Sequence, residues 1–190
     1  ILSINKTKEP GQKPGWMPGI HVKRMKQKIL TPRFLAEAGI IAALYFALTM
    51  AVAPLSYGQL GMMQVRISEA LCILPFFTPA AIPGLFVGCI LANIFSFLGI
   101  VDVVFGSLAT LAAAVVTYFI RSKWLLPLPS IAFNAMIIGA VLKYFYFFEV
   151  PLWMPMLYVG AGQAIACYAL GMPLFFLLNR HKERIFGRRH

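Results

Sequence analysis

Six side chains able to bind a solute or do chemistry interrupt the apolar segments of this chain: Arg66, Glu69, Asn93, Asp102, Asn134 and Gln163. Carboxylates accept hydrogen bonds and attract cations, and amides donate and accept in one plane. Aromatic rings are abundant, among them Tyr57, Phe95, Tyr144, Tyr146, Trp153 and Tyr158. Together they suit a flat, nitrogen-rich, neutral or cationic solute, stacked on rings and hydrogen-bonded along its edge. They do not suit a phosphate or an anionic acid. The run Tyr144-Phe145-Tyr146-Phe147-Phe148 reads as an aromatic belt at a membrane surface. Tyr57 and Tyr158 are the rings better placed for contact.

The stretch Gln64-Val65-Arg66-Ile67-Ser68-Glu69-Ala70-Leu71 carries two charges into an apolar helix. At a helix centre each costs about 2.5–3.5 kcal/mol on insertion scales. Arg66 and Glu69 must therefore be paired, lie near an aqueous mouth, or hold a ligand. Each polar residue also has a plainer role. Arg66 and Glu69 are three apart and can pair with each other. Asp102 can be a helix-start charge favoured by the dipole. Asn93, Asn134 and Gln163 can be interhelical hydrogen-bond glue, worth about 0.6 kcal/mol each.

The elements that must position them are membrane helices. The chain is 60% hydrophobic and 12% charged, where a soluble domain carries about 25% charged residues. Seventeen Lys and Arg face six Asp and Glu, and most of the basic residues lie in the first thirty-odd residues and the last dozen. That distribution marks cytoplasmic tails under the positive-inside rule and excludes a nucleic-acid-binding face. Cys72, Cys89 and Cys167 fall in separate apolar segments, as buried thiols do, so neither a disulfide framework nor a metal site is expected. The histidines stay in the tails, and no zinc, P-loop or serine-hydrolase pattern occurs. No cofactor is expected, and the chain is not an enzyme on this reading. The rival of another class is an intramembrane enzyme using Glu69 and Asp102.

Residues 1–30 are polar, basic and rich in Gly and Pro, the composition of a disordered extension. No signal peptide is expected there. Met25 has the look of a start, which would make residues 1–24 an extension. The spacing predicts an all-α integral membrane domain over 31–180, with six transmembrane helices at about 32–52, 66–77, 80–97, 101–120, 128–148 and 155–178, then a basic tail at 181–190. The second is short for a span, which needs about 20 residues. Joining it to the third would give five spans. Six place both termini and Arg121/Lys123 on the cytoplasmic side, as the positive-inside rule asks; Lys143 is the exception. Arg66, Glu69, Asn93, Asp102 and Gln163 then fall in the outer half and Asn134 near the middle. That shared side points to an outward-facing pocket. In the first helix, Gly39, Ala43, Ala47 and Ala51 recur every four residues beside Ala38 and Ala42. Such a stripe admits a close helix neighbour, inside this chain or on another subunit.

Five stretches in order carry a resemblance: Gln64 to Leu71, Ile82-Pro83-Gly84-Leu85-Phe86-Val87-Gly88-Cys89, Leu91-Ala92-Asn93-Ile94-Phe95-Ser96, Asp102 to Leu111, and Met156-Leu157-Tyr158-Val159-Gly160. From about Leu30 to Leu178 the chain resembles the queuosine-precursor transporter family, substrate-binding S components of energy-coupling-factor (ECF) transporters. The resemblance implies an S-component-like bundle in a prokaryotic cell membrane. It implies as partners a transmembrane coupling protein and two ABC ATPases, with membrane lipid around them. The implied solute is a deazaguanine, 7-aminomethyl-7-deazaguanine, bound by Glu69, Asn93, Asp102, Asn134, Tyr158, Gln163 and Arg66. The alternative is another nucleobase or a vitamin. Ala38, Gly39, Ala42, Ala43 and Ala47 look like the docking surface for the coupling protein. A glutamate is expected where Gln163 stands, so a charged contact becomes neutral here.

Overall fold

The computed structural model describes residues 31–56, 65–96, 99–146 and 149–185. The expected N-terminal extension, Tyr57, most of the first long loop and residues 186–190 lie outside them. The described residues are helical and contain no strand. The α-helices are α1 (Pro32–Ala51), the single turn α2 (Ala53–Ser56), α3 (Ala81–Asn93), α4 (Ile100–Phe119), α5 (Leu128–Phe145), α6 (Trp153–Ala164) and α7 (Met172–Ile185). A 3-10 helix, Ile67–Phe76, precedes α3, a short one, Lys123–Leu125, precedes α5, and a π-helical segment, Ile165–Gly171, joins α6 to α7. Four stretches are long and apolar enough to cross a membrane: Pro32–Ala51, Ile100–Phe119, Lys123–Phe145 and Trp153–His181. Ile67–Phe76 and Ala81–Asn93 are shorter apolar helices.

The second helix corrects the sequence expectation most. It is 3-10, not α. Pro75 sits inside it and has no N–H to give to the carbonyl four residues back, which an α-helix would require. Winding at about 2.0 Å per residue, its ten residues reach about 20 Å, against about 15 Å for an α-helix of that length. Every residue from Ser68 to Pro75 is buried. A helix covered on all sides belongs at the centre of a bundle, and this one touches α1, α3, α4, α7 and the π-helical segment. Leu71 and Leu74 join the core shared with α1 and α3, while Cys72 and Ile73 join that of Leu126, Cys167 and Phe175.

Around that axis α1, α3, α4, α5 and α6 follow one another as neighbours. Thr31 caps α1 by accepting from the Phe34 N–H at 3.3 Å, with Pro32 in the first turn. The α1–α3 contact depends on Gly84 and Gly88. A Cβ on Gly84 would stand 2.8 Å from the Ala38 carbonyl oxygen, and one on Gly88 2.8 Å from that of Ala42. Gly84 and Gly88 therefore form a packing seam on α3, and Ala38 and Ala42 belong to it. The last helix, expected as one run from Pro155, begins at Trp153 and carries the π-helical segment at its middle.

Candidate functional site

Two hydrogen-bonded groups lie side by side in the bundle. The first is built on Arg66, which caps the 3-10 helix in an extended conformation. Its side chain leaves the helix direction and enters the protein. Nη2 donates to Asp102 Oδ2 at 2.8 Å and Nη1 to Asn93 Oδ1 at 3.0 Å. Asn93 Nδ2 in turn donates to the Asp102 backbone carbonyl at 2.9 Å. Both charged side chains are buried, Arg66 at 2% and Asp102 at 0% exposure. Gly106 makes room: a Cβ there would lie 2.6 Å from Asn93 Nδ2 and 2.8 Å from Asp102 Oδ1. Arg66 thus pairs with Asp102 and not with Glu69, and it is buried instead of standing at an aqueous mouth. Both corrections follow from the cap geometry.

The second group surrounds Glu69. Tyr45 of α1 donates its hydroxyl to Oε1 at 2.6 Å, and Ser130 of α5 donates to Oε2 at 2.5 Å. Asn134 Nδ2 donates to the Ser130 carbonyl at 2.9 Å and lies 3.3 Å from its hydroxyl. Next to Glu69, Ser68 meets Thr49 of α1, oxygen to oxygen at 2.8 Å. Cys167, in the π-helical segment, lies 3.5 Å from the Glu69 backbone carbonyl and 3.9 Å from Gln163 Oε1. Its sulfur is 3.7 Å from that of Cys72. All three cysteines are free and buried, as expected.

The charges do not balance. Arg66 is committed to Asp102, and the other ion pair among the described residues is Arg33–Glu37. Glu69 has two hydroxyls and, among the described residues, no cation at ion-pair distance. The segment leading into the 3-10 helix, residues 57–64, contains no Lys or Arg. Counted by formal charge, the buried cluster holds one cation against two carboxylates. Burying a charge without a partner is costly. Among the described residues no group of His, Cys, Asp or Glu is arranged to hold a metal ion.

Residues 35–180 match the QueT transporter family. The chain belongs to that family. Membership in the QueT transporter family makes it a transporter and not an enzyme, and with its apolar helices a membrane protein. A relative, "Queuosine precursor transporter QueT" of Lactococcus lactis subsp. cremoris (strain MG1363), is 42% identical over 79 residues. That stretch is 40% of this chain and 44% of the relative, so the match spans less than half of either. No solved structure matches.

Of the residues singled out in the sequence of this QueT-family chain, Arg66, Asn93 and Asp102 come together, as do Glu69 and Asn134. Gln163 is buried beside Cys167. Tyr158 is 44% exposed and stands apart from the buried groups. Tyr45 and Ser130, the two residues that hold Glu69, were not singled out. Each has a faint signal. Tyr45 is the middle of Ile41, Tyr45 and Thr49, a buried line with four-residue spacing on α1, and Ser130 is one helical turn before Asn134. On the outside of α1, Gly39, Ala43 and Ala47 are exposed, and a Cβ on Gly39 would meet nothing within 4 Å.

Proposed function

We propose that this chain is the substrate-binding S component of an ECF-type ABC importer and binds a queuosine precursor, 7-aminomethyl-7-deazaguanine, from outside the cell. The match to the QueT transporter family over 35–180 carries the reading. In it, all six apolar helices span the membrane, both termini are cytoplasmic, and Ile67–Phe76 and Ala81–Asn93 are the short spans. Lipid covers exposed apolar side chains such as Leu35, Ile40 and Leu44.

The site supports the solute class. A deazaguanine has a flat ring with N–H donors and a carbonyl on one edge, and its aminomethyl group is a cation. The buried groups offer amides, one guanidinium and two carboxylates, one more than that cation pairs with. Arg66, Glu69, Asn93, Asp102, Asn134 and Gln163 are the binding set; Tyr158 joins them from the exposed side of α6.

Transport requires a coupling protein and two ABC ATPases as energy source. The exposed line Gly39, Ala43 and Ala47 is the docking surface for the coupling protein, because small residues permit close helix approach in a bilayer. Ala38 and Ala42 serve the internal contact with α3.

Calorimetric titration of the purified protein with 7-aminomethyl-7-deazaguanine, with thiamine and biotin as controls, tests the solute. Binding of the deazaguanine alone is the expected result; preference for a vitamin would replace the solute assignment. Uptake into cells making this chain with and without a coupling protein and its ATPases tests the importer assignment. Equal uptake in both would end it.

A further inference from the structure

The two buried carboxylates differ in kind, although the sequence presents them as equivalents. Asp102 is neutralised by Arg66. Glu69 is held by two neutral hydroxyls, with no cation at ion-pair distance among the described residues. A carboxylate has about four acceptor positions. Tyr45 and Ser130 take two of those on Glu69, which leaves acceptor capacity on each oxygen for a further donor.

The Arg66–Asp102 pair has its own open positions. A guanidinium and a carboxylate can meet fork to fork through two parallel bonds. Here one Nη2–Oδ2 bond joins them, and Arg66 Nε and Asp102 Oδ1 find no hydrogen-bond partner among the described residues. Leaving buried polar atoms without partners is unfavourable. The pair is therefore charge-neutral yet keeps one donor and one acceptor, complementary to a carbonyl and an N–H on the same ring edge.

We propose that the site divides its recognition by charge: Glu69, positioned by Tyr45 and Ser130, is the counter-charge for a cationic substituent, while the Arg66–Asp102 pair reads the neutral ring edge. This rests on the deazaguanine reading given above. It gives the two buried carboxylates different roles. It makes Glu69 the residue that separates a cationic solute from a neutral one with the same ring. Tyr45 and Ser130 act through Glu69 and are positioning residues.

The test compares two ligands that share the ring and differ in charge: 7-aminomethyl-7-deazaguanine and 7-cyano-7-deazaguanine, each titrated calorimetrically into the purified full chain. Wild type is expected to bind the aminomethyl compound at least about tenfold more tightly, the ratio that 1.4 kcal/mol corresponds to. E69Q is expected to bring the two affinities within about threefold of each other. Y45F removes one positioning hydroxyl and leaves the carboxylate, and is expected to reduce the preference less than E69Q does. Equal binding of both ligands by wild type overturns the proposal while the deazaguanine reading stands. So does a preference that survives in E69Q or is unchanged in Y45F. If wild type binds neither compound, both the proposal and the deazaguanine reading fall. If E69Q does not fold, wild type and Y45F still decide.

Discussion

Arg66 bonds to Asp102, thirty-six positions away, and leaves Glu69, three positions away, to the hydroxyls of Tyr45 and Ser130. One guanidinium orients the end of the 3-10 helix against α3 and α4. The carboxylate one turn further faces α1 and α5. The two charges that stand together at the start of this helix serve different sides of the bundle.

Breaking the pair from one side should be costly. D102N leaves a buried guanidinium without its counter-charge and is expected to destabilise by about 3–5 kcal/mol. R66M/D102L removes both charges and is expected to recover most of that loss. Thermal unfolding in detergent reads the difference. A double variant no more stable than D102N would show that the pair is not what fails.

Gly106 offers a test in which two effects have opposite signs. Helix propensity alone favours G106A by about 0.8–1 kcal/mol. The added Cβ would press on Asn93 Nδ2 at 2.6 Å and Asp102 Oδ1 at 2.8 Å, and overpacking of this kind costs about 1–3 kcal/mol. G106A is therefore expected to lower the melting temperature. A rise would mean that Asn93 and Asp102 move aside freely.

The two glycine-bearing faces of the α1 region should respond differently. G84L forces a side chain into the Ala38 carbonyl and Ile41 and is expected to unfold or strongly destabilise the protein. G39L meets open space and is expected to leave melting and solute binding unchanged while reducing ATP-dependent uptake in cells containing the whole importer. Full uptake with G39L would remove this face as the docking surface.

Ser130 and Tyr45 each give Glu69 a hydrogen bond to a charged group, worth about 1.5–3 kcal/mol. S130A and Y45F are each expected to lower stability by about that amount, measured by denaturation in detergent. N134A acts on Ser130 and not on the carboxylate, so its effect should be smaller. An N134A loss equal to that of S130A would place the anchoring in Asn134.

The helices were legible where apolar runs are long and bounded. Pro32 with Thr31 before it fixes the start of α1, and the expected 101–120 span matches α4 within one residue at each end. The winding of the second helix was less legible, because burial on every side erases the periodicity that separates one helix type from another. The π-helical segment has no distinct residue pattern at all in Ile165-Ala166-Cys167-Tyr168-Ala169-Leu170-Gly171. The polar residues were found because charge and amides stand out against apolar neighbours. Their partners were not, because pairing across α1, α4 and α5 is set by packing. Tyr45 and Ser130 are ordinary residue types in a membrane helix, and only their distance from Glu69 gives them a role.

The hydrogen bonds that make the buried groups also join α1, the 3-10 helix, α3, α4 and α5 to one another. On the proposed reading, recognition and architecture therefore draw on the same bonds, and a substitution that retunes one disturbs the other. Evolutionary change of solute in such a chain has few safe routes. Gln163 is the candidate: its described bond to the framework is a thiol contact at 3.9 Å. On the proposed reading, variation there alters preference at less cost to the bundle than variation in the Arg66–Asp102 pair, so natural relatives that differ in solute are expected to diverge at this position before they diverge at Arg66 or Asp102.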